Sequence, residues 1–233
     1  FTSVHKLPKH LDELAVAGGL VGAPIRVCKA KTVDLMVPAE AETRLRSLLL
    51  KPDPALATAA TGTPDWREIA LPAAGPTWLA LAALRALGRS AGDIAYASGK
   101  DPAPGYILPW VPVLLDASGT VLTAETRAAK ALTLARAATG LAADLALREP
   151  GLTTLAPSGL AVTEGDAPVT GSTVTLTGAS LWHDATRMSA DEATSLAARI
   201  TRLLGEMAAK PDSALASLSP LSEAETQVYA GTL

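Results

Sequence analysis

Hydrophobic and polar positions alternate with a period of two in several short stretches of the chain. The alternation is clearest over residues 32–37, and residues 25–28 just before them are mostly apolar. Alternation of this kind predicts half-buried β-strands. Further stretches with strand character cover residues 92–97, 106–115 and 173–177. Because Pro109 and Pro112 fall within residues 106–115, we expect that strand to lie at a sheet edge or to contain a bulge.

Between these stretches, apolar residues recur every three or four positions, which indicates helices. The first three predicted helices begin at Pro38, Trp78 and Thr123 and end by Pro52, Gly88 and Arg148, with Gly140 as a weak point in the third. The second helix is apolar nearly all round except for Arg85, which predicts a place in the core. Residues 51–75 contain four prolines and predict a loop. The order of elements predicts a mixed α/β domain with helices packed on a sheet.

The closing helix is the best-marked element. Ser189 and Glu192 have the spacing of a capping box, and apolar residues follow at helical intervals up to Ala209. Pro211 cannot continue the helix, so we expect it to end at Lys210. Residues 211–222, called the strap below, then place Leu215, Leu218 and Leu221 among serines and prolines. This pattern predicts an extended segment that pins leucine side chains onto a surface.

Composition narrows the class of protein. The 233 residues are 48% hydrophobic and 18% charged, which excludes a disordered chain and suits a compact domain. A net charge of −3 and the absence of a basic cluster argue against a nucleic-acid partner. The longest apolar stretch, residues 78–84, is far shorter than the roughly 20 residues of a membrane span, so no membrane partner is expected. The first residue, Phe1, predicts a fragment of a longer chain.

Few residues suggest chemistry. The single cysteine, Cys28, cannot form an internal disulfide; it fits a cytoplasmic protein and is interpreted as a small apolar strand residue. His5 and His10 lie near the start, which leaves His183 beside Asp184 as a candidate base. Neighbours on an extended chain point to opposite faces, and no nucleophile pattern accompanies them, so we expect His183 in a turn or facing solvent.

Other kinds of site also lack support. The glycines within residues 18–22 precede a strand, whereas phosphate-binding glycine loops follow one, so a structural turn is expected there. Carboxylates are scattered, and no cluster of metal ligands is evident. We therefore assign no catalytic, cofactor-binding or metal-binding residue and predict no cofactor.

The end of the chain resembles the end of a nonribosomal peptide synthetase condensation domain and its linker to an adenylation domain. The resemblance rests on Ser180-Leu181-Trp182-His183-Asp184, the closing helix, Lys210-Pro211-Asp212 and the segment from Leu218 to Glu225. Weaker matches are the helix from Gly75, the strand Gly92-Asp93-Ile94-Ala95 and the strand Leu108-Pro109-Trp110-Val111-Pro112.

This resemblance implies a chloramphenicol-acetyltransferase-like α/β lobe, a mixed sheet with packed helices that forms one wall of a tunnel. It implies a lead-in segment (1–31), a condensation-like carboxy-terminal lobe (32–210) and a linker towards a following adenylation domain (211–233). The implied partners are an adenylation domain, a phosphopantetheinyl carrier protein and a separate amino-terminal condensation lobe.

The chain departs from that family where catalysis is concerned. No segment matches the family's "H-H-x-x-x-D-G" signature. The "D-F-G" latch motif is missing near Glu164-Gly165-Asp166, and Pro109-Trp110 replaces "F-x-N" in the central strand. The hypothesis is therefore a degenerate or truncated lobe that scaffolds a synthetase and is inactive as an isolated chain.

A second resemblance covers residues 12–42, which look like a segment of the UbiD-type prenylated-flavin decarboxylases. The family's following "I-V-I/L-E-G" strand is replaced by Thr43-Arg44-Leu45-Arg46. This resemblance implies an alternative, a fragment of a decarboxylase with a flavin phosphate site. A plain protein-interaction module remains a third hypothesis.

Overall fold

A computed structural model describes residues 25–29, 31–35, 63–100, 107–137, 141–142, 159–222 and 225–227. The predicted helix from Pro38 lies outside these residues, and so do the glycines at 18–22. Two strands, β1 (Ile25–Lys29) and β2 (Lys31–Leu35), pair with each other in an antiparallel two-stranded sheet. Both strands were predicted, and both are confirmed as strands.

The main sheet has six strands: β3 (Trp66–Ala70), β4 (Ala91–Ala97), β6 (Val111–Asp116), β8 (Leu160–Thr163), β9 (Val174–Leu176) and β10 (Ser180–Asp184). Their order across the sheet is β3-β10-β9-β8-β4-β6. The β4–β8 and β8–β9 pairs are parallel, whereas the other pairs are antiparallel. A short sheet pairs β5 (Ile107–Leu108) with β7 (Leu141–Ala142). The predicted mixed sheet is confirmed.

The long helices of the described part of the chain are α1 (Pro76–Ala86), α2 (Val121–Ala137) and α3 (Ala190–Ala209), and residues 225–227 are also helical. Helix α1 packs against both other helices and the sheet, and every side chain from Leu79 to Leu84 is fully buried. A run of apolar residues without a polar face suits this central position. The predicted core helix is confirmed.

Helix α3 begins as the sequence predicts. The amide of Glu192 donates to Ser189 Oγ at 3.3 Å, and the amide of Ser189 donates to Glu192 Oε2 at 2.9 Å. The box satisfies two amides at the helix start. The helix buries Ala193, Leu196, Ala197, Ile200, Leu203, Leu204 and Met207, which form its predicted apolar face.

Several predicted boundaries were wrong. The loop over 51–75 contains β3, and the helix predicted through Arg148 ends at Ala137 and is followed by β7. The strand over 106–115 is two strands, β5 and β6, because Pro109 lacks the amide that a continuous ladder needs. The expected edge position is confirmed, since β6 is the last strand of the main sheet.

Candidate functional site

The strap lies against the helices. Leu215 is fully buried, and Leu218 is 2% exposed, whereas Leu221 is only half-buried. A single turn of 3-10 helix, Leu215–Ser217, interrupts the extended backbone. The prediction that leucines of the strap are pinned to a surface is confirmed for Leu215 and Leu218, and their side chains belong to the same core as the sheet and helices.

Arg85 holds the strap from the side of α1. Its Nε donates to the carbonyl oxygen of Leu218 at 3.0 Å, and its Nη2 donates to that of Ala216 at 2.7 Å. Hydrogen bonds from a charged donor are stronger than those between neutral groups. In the sequence, Arg85 is recognisable as the one charged residue of an apolar helix. Its partners could not be predicted, because they are backbone carbonyl groups, which every residue carries.

Tyr96, Arg136 and Glu164 form a network at the carboxyl ends of β4 and β8. Tyr96 donates to Glu164 Oε1 at 2.6 Å, and Nε of Arg136 donates to the same carboxylate at 2.9 Å. Burial, followed by the hydrogen bond to Glu164, raises the pKa of Tyr96 to about 12. Burial opposes ionisation of Glu164, but the bonds from Arg136 and Tyr96 outweigh it and lower its pKa. The network therefore keeps Glu164 charged and Tyr96 protonated at neutral pH.

The loops after β4 and β8 touch directly beside this network. Gly99 has a φ of +73°, and a Cβ built on it would lie 2.9 Å from the amide nitrogen of Gly165. A Cβ on Gly165 would lie 3.1 Å from Cα of Gly99. The crossing needs a left-handed conformation at Gly99 and no side chain at either position, which only glycine provides.

His183 is buried, so its expected place in a turn or facing solvent is wrong. It lies on β10 between Arg67 of β3 and Val174 of β9, with 3% of its surface exposed. Among the described residues, neither ring nitrogen has a partner with hydrogen-bond geometry. Desolvation is the main cause that lowers the pKa of His183, and it outweighs the opposing influence of the Arg67 backbone, Asp184 and Asp65. The imidazole is therefore neutral at pH 7.

Asp184 does not orient His183, because its carboxylate serves the turn that follows β10. Its Oδ1 accepts from the amides of Asp65 and Thr186 at 3.2 and 3.0 Å, and from Thr186 Oγ1 at 2.8 Å. Its Oδ2 lies 3.6 Å from Nε of Arg187, and both side chains of this ion pair are buried. Residues 183 and 184 therefore show no catalytic arrangement.

A shallow apolar groove of about 490 Å³ lies between the start of α1 and one flank of α3. Trp78 and Leu204 line it, and Gly205 leaves open space beside them. The indole Nε1 of Trp78 donates to Glu125 Oε1 at 2.6 Å, which fixes the ring. The groove carries no charged lining residue and is a surface for apolar contact rather than for chemistry.

The described residues contain no candidate metal site and no candidate membrane span. Within that part of the chain, no group of three or more His, Cys, Asp or Glu side chains could hold a metal ion. No helix there is long and apolar enough to cross a bilayer. His5 and His10 lie outside it, as does the side chain of Cys28.

The described fold is that of the condensation domains, a chloramphenicol-acetyltransferase-like α/β lobe. The chain is similar to the X-domain in a complex of the X-domain and OxyB from teicoplanin biosynthesis. That match has a TM-score of 0.55 and 18% identity, and it covers 79% of this chain and 56% of the other. The X-domain alone gives a TM-score of 0.55 at 18% identity, with coverage of 78% and 57%.

A third similar structure is the first condensation domain of the CDA synthetase. Its TM-score is 0.52 at 14% identity, and the match covers 78% of this chain and 54% of that domain. The chain thus spans a little over half the length of these structures. The predicted fold class and the resemblance to condensation domains are confirmed at the level of the fold.

The start of the chain matches a different family model. This model, "UbiD: 3-octaprenyl-4-hydroxybenzoate carboxy-lyase Rift-related domain", matches residues 1–55, about a quarter of the 233 residues. The match agrees with the resemblance noted over residues 12–42. A search of curated proteins finds no match to the chain.

Proposed function

We propose that this chain is a condensation-type lobe that scaffolds a nonribosomal peptide synthetase and does not catalyse condensation by itself. The observation that carries the proposal is the fold, which is similar to solved condensation-type domains over 79% of the chain. Two of those neighbours come from teicoplanin biosynthesis and one from the CDA synthetase. An assembly-line setting is consistent with all three.

The absence of a catalytic role is argued from the histidines. The chain has three, no two of them adjacent in sequence, so the family's paired-histidine signature has no counterpart. His183 is buried, which argues against contact with a carrier-bound substrate as a general base. Condensation would then need a second lobe that supplies the base.

The proposed partners are an adenylation domain, a phosphopantetheinyl carrier protein and a separate amino-terminal lobe. One similar structure is a complex of an X-domain with OxyB, which supports protein binding as a use of this fold. The docked strap supports the proposal that residues 211–233 lead to a following adenylation domain. The divisions at residues 31/32 and 210/211 remain predictions.

The first experiment tests turnover. The full chain is incubated with two carrier proteins loaded with different aminoacyl groups, and peptide formation is followed by mass spectrometry of the carriers. We expect no peptide above a control without the chain, and we expect peptide only when an intact condensation domain replaces it. Peptide formed by the chain alone would contradict the proposed non-catalytic role.

The second experiment tests the partners. An adenylation domain and a holo carrier protein from a synthetase of the source organism are titrated against the full chain by surface plasmon resonance. A fatty-acid acyl carrier protein is the control. We expect saturable binding of the synthetase domains at micromolar concentrations and none of the control. Equal responses from all three proteins, or no response from any, would refute the partner assignment.

The family model over residues 1–55 favours a second candidate, a fragment of a prenylated-flavin decarboxylase. Apart from β1 and β2, that segment lies outside the described residues, so no flavin-binding residue is assigned here. Purification after co-expression with a flavin prenyltransferase tests this candidate by visible absorption. A stoichiometric flavin band would favour the decarboxylase and count against the scaffold. A colourless protein would count against the decarboxylase and favour the scaffold.

A further inference from the structure

Two amides in the first turn of α2 obtain their partners from the strap. The amide of Val121 donates to the carbonyl oxygen of Ser213 at 3.0 Å, and that of Leu122 donates to the carbonyl oxygen of Pro211 at 3.2 Å. The first amides of any α-helix lack partners within the helix. Thr120 Oγ1 caps the next amide locally, accepting from Thr123 at 3.3 Å, whereas the strap supplies the other two partners from about ninety residues further along the chain.

The contact is reciprocal. The amide of Leu215 donates to the carbonyl oxygen of Gly119 at 2.9 Å, and Thr120 and Ala214 form an antiparallel β-bridge. These bonds join the strap to the residues that lead into α2. The strap and the start of α2 therefore share one set of backbone hydrogen bonds.

From this geometry we infer that the strap and α2 form one cooperative unit, in which the strap completes the amino-terminal cap of α2 and Arg85 of α1 holds the strap in place. Release of the strap would leave the amides of Val121 and Leu122 without partners. It would also expose Leu215 and Leu218 and break both bonds of Arg85. Because these losses occur together, the strap cannot move independently of α2.

The hydrogen bonds continue beyond the strap in the described residues. Past the strap, Nη2 of Arg199 on α3 lies 3.3 Å from Glu225 Oε1, and the amide of Ser222 donates to Glu225 Oε2 at 2.8 Å. These side chains are more exposed than Leu215 and Leu218. A neighbour joined through residues 211–233 would then have its orientation set by the helices of this lobe. Only this last step rests on the proposed function.

Hydrogen exchange of the full chain, followed by mass spectrometry, tests the inference without any partner. We expect peptides covering residues 213–218 and 120–125 to exchange at rates within about threefold of each other. Both should be at least a hundredfold slower than an unstructured peptide. If residues 213–218 exchange at the unstructured rate while residues 120–125 stay protected, the strap is an independent linker and the inference is wrong.

A variant adds a second test. We expect Arg85→Gln to increase exchange in both peptides by about tenfold and to leave β9 unchanged. Arg202→Gln is the matched control, because Arg202 pairs with Glu206 on the exposed side of α3. An increase confined to the strap would overturn the coupling. If Arg85→Gln does not fold, the comparison of the two peptides in the natural chain still tests whether the strap and α2 are coupled. Failure of partner binding would leave these rates unchanged, so the two proposals fail separately.

Discussion

His183 is a residue whose surroundings favour its neutral form on balance. Both nitrogens lack a hydrogen-bond partner among the described residues. The charged groups near the imidazole are Arg67, Asp65 and Asp184, and the carboxylate of Asp184 is already occupied by donors of the following turn. A proton on His183 would therefore gain little compensation for its desolvation.

This arrangement makes stability depend on pH in a defined window. Because the pKa of His183 is lowered in the folded state, the unfolded chain binds the proton first as pH falls below about 6.5. We expect the free energy of unfolding, measured by urea denaturation, to decrease between pH 7 and pH 5. His183→Leu should remove this slope. The pKa of Asp184 is also lowered, but its ionisation affects stability only below about pH 4, and this effect should persist in the variant. An unchanged slope in the variant would assign the effect to another group.

His183 also shows what single residues leave unpredicted. His183 was expected in a turn or facing solvent because it has no oriented partner or nucleophile nearby in sequence. Short-range sequence carries no information on which strands flank β10. Arg85 was visible as an isolated charge, but its partners are carbonyl groups. Interactions of side chains with backbone from distant segments have no signature in residue type.

At the scale of elements, α3 and its capping box show where sequence is sufficient. The start, the apolar face and the end of this helix follow from residues within a few positions of each other. Strands β3 and β8 were missed because each has only four or five residues and lies in a stretch rich in proline, glycine or threonine. All four side chains of β8 are buried, so it lacks the alternation that indicates a strand.

The capping box gives a direct test at this scale. We expect Ser189→Ala to lower the free energy of unfolding by about 1 kcal/mol, because the amide of Glu192 loses its acceptor, Ser189 Oγ. Ser195→Ala, at an exposed position inside the same helix, is the control and should be neutral or slightly stabilising. Chemical denaturation of both variants measures the difference. Equal stabilities would show that the cap contributes nothing.

At the scale of the whole molecule, the sheet joins segments that are far apart in the chain. Strand β3 pairs with β10, and the amide of Asp65 donates to Asp184 across 119 residues of sequence. The sequence indicates a mixed α/β architecture through its order of elements. The strand order could not be predicted, since three of the six strands, β3, β8 and β10, were not recognised from the pattern and pairing depends on the closure of long loops.

At the end of this long-range pairing, Asp184 also neutralises the buried Arg187 of the turn after β10. We expect Asp184→Asn to lower the free energy of unfolding by about 3 kcal/mol, because Arg187 stays buried without its counter-charge. Asp65→Asn is the matched control, since the Asp65 side chain is half-exposed and pairs only with the exposed Arg67 among the described residues. Its effect should stay below about 1 kcal/mol in the same thermal and urea denaturation experiments. A loss of equal size in both variants would contradict the special role of Asp184.

The contact between Gly99 and Gly165 has a consequence for tracing ancestry. A side chain at Gly99 would meet the backbone of Gly165 in a left-handed conformation that L side chains rarely adopt, whereas one at Gly165 would need the facing loop to shift by a few tenths of an ångström. Similar structures share only 14–18% of their residues with this chain, too few for a secure alignment. In any chain that keeps this crossing of two loops, we expect glycine at the position of Gly99.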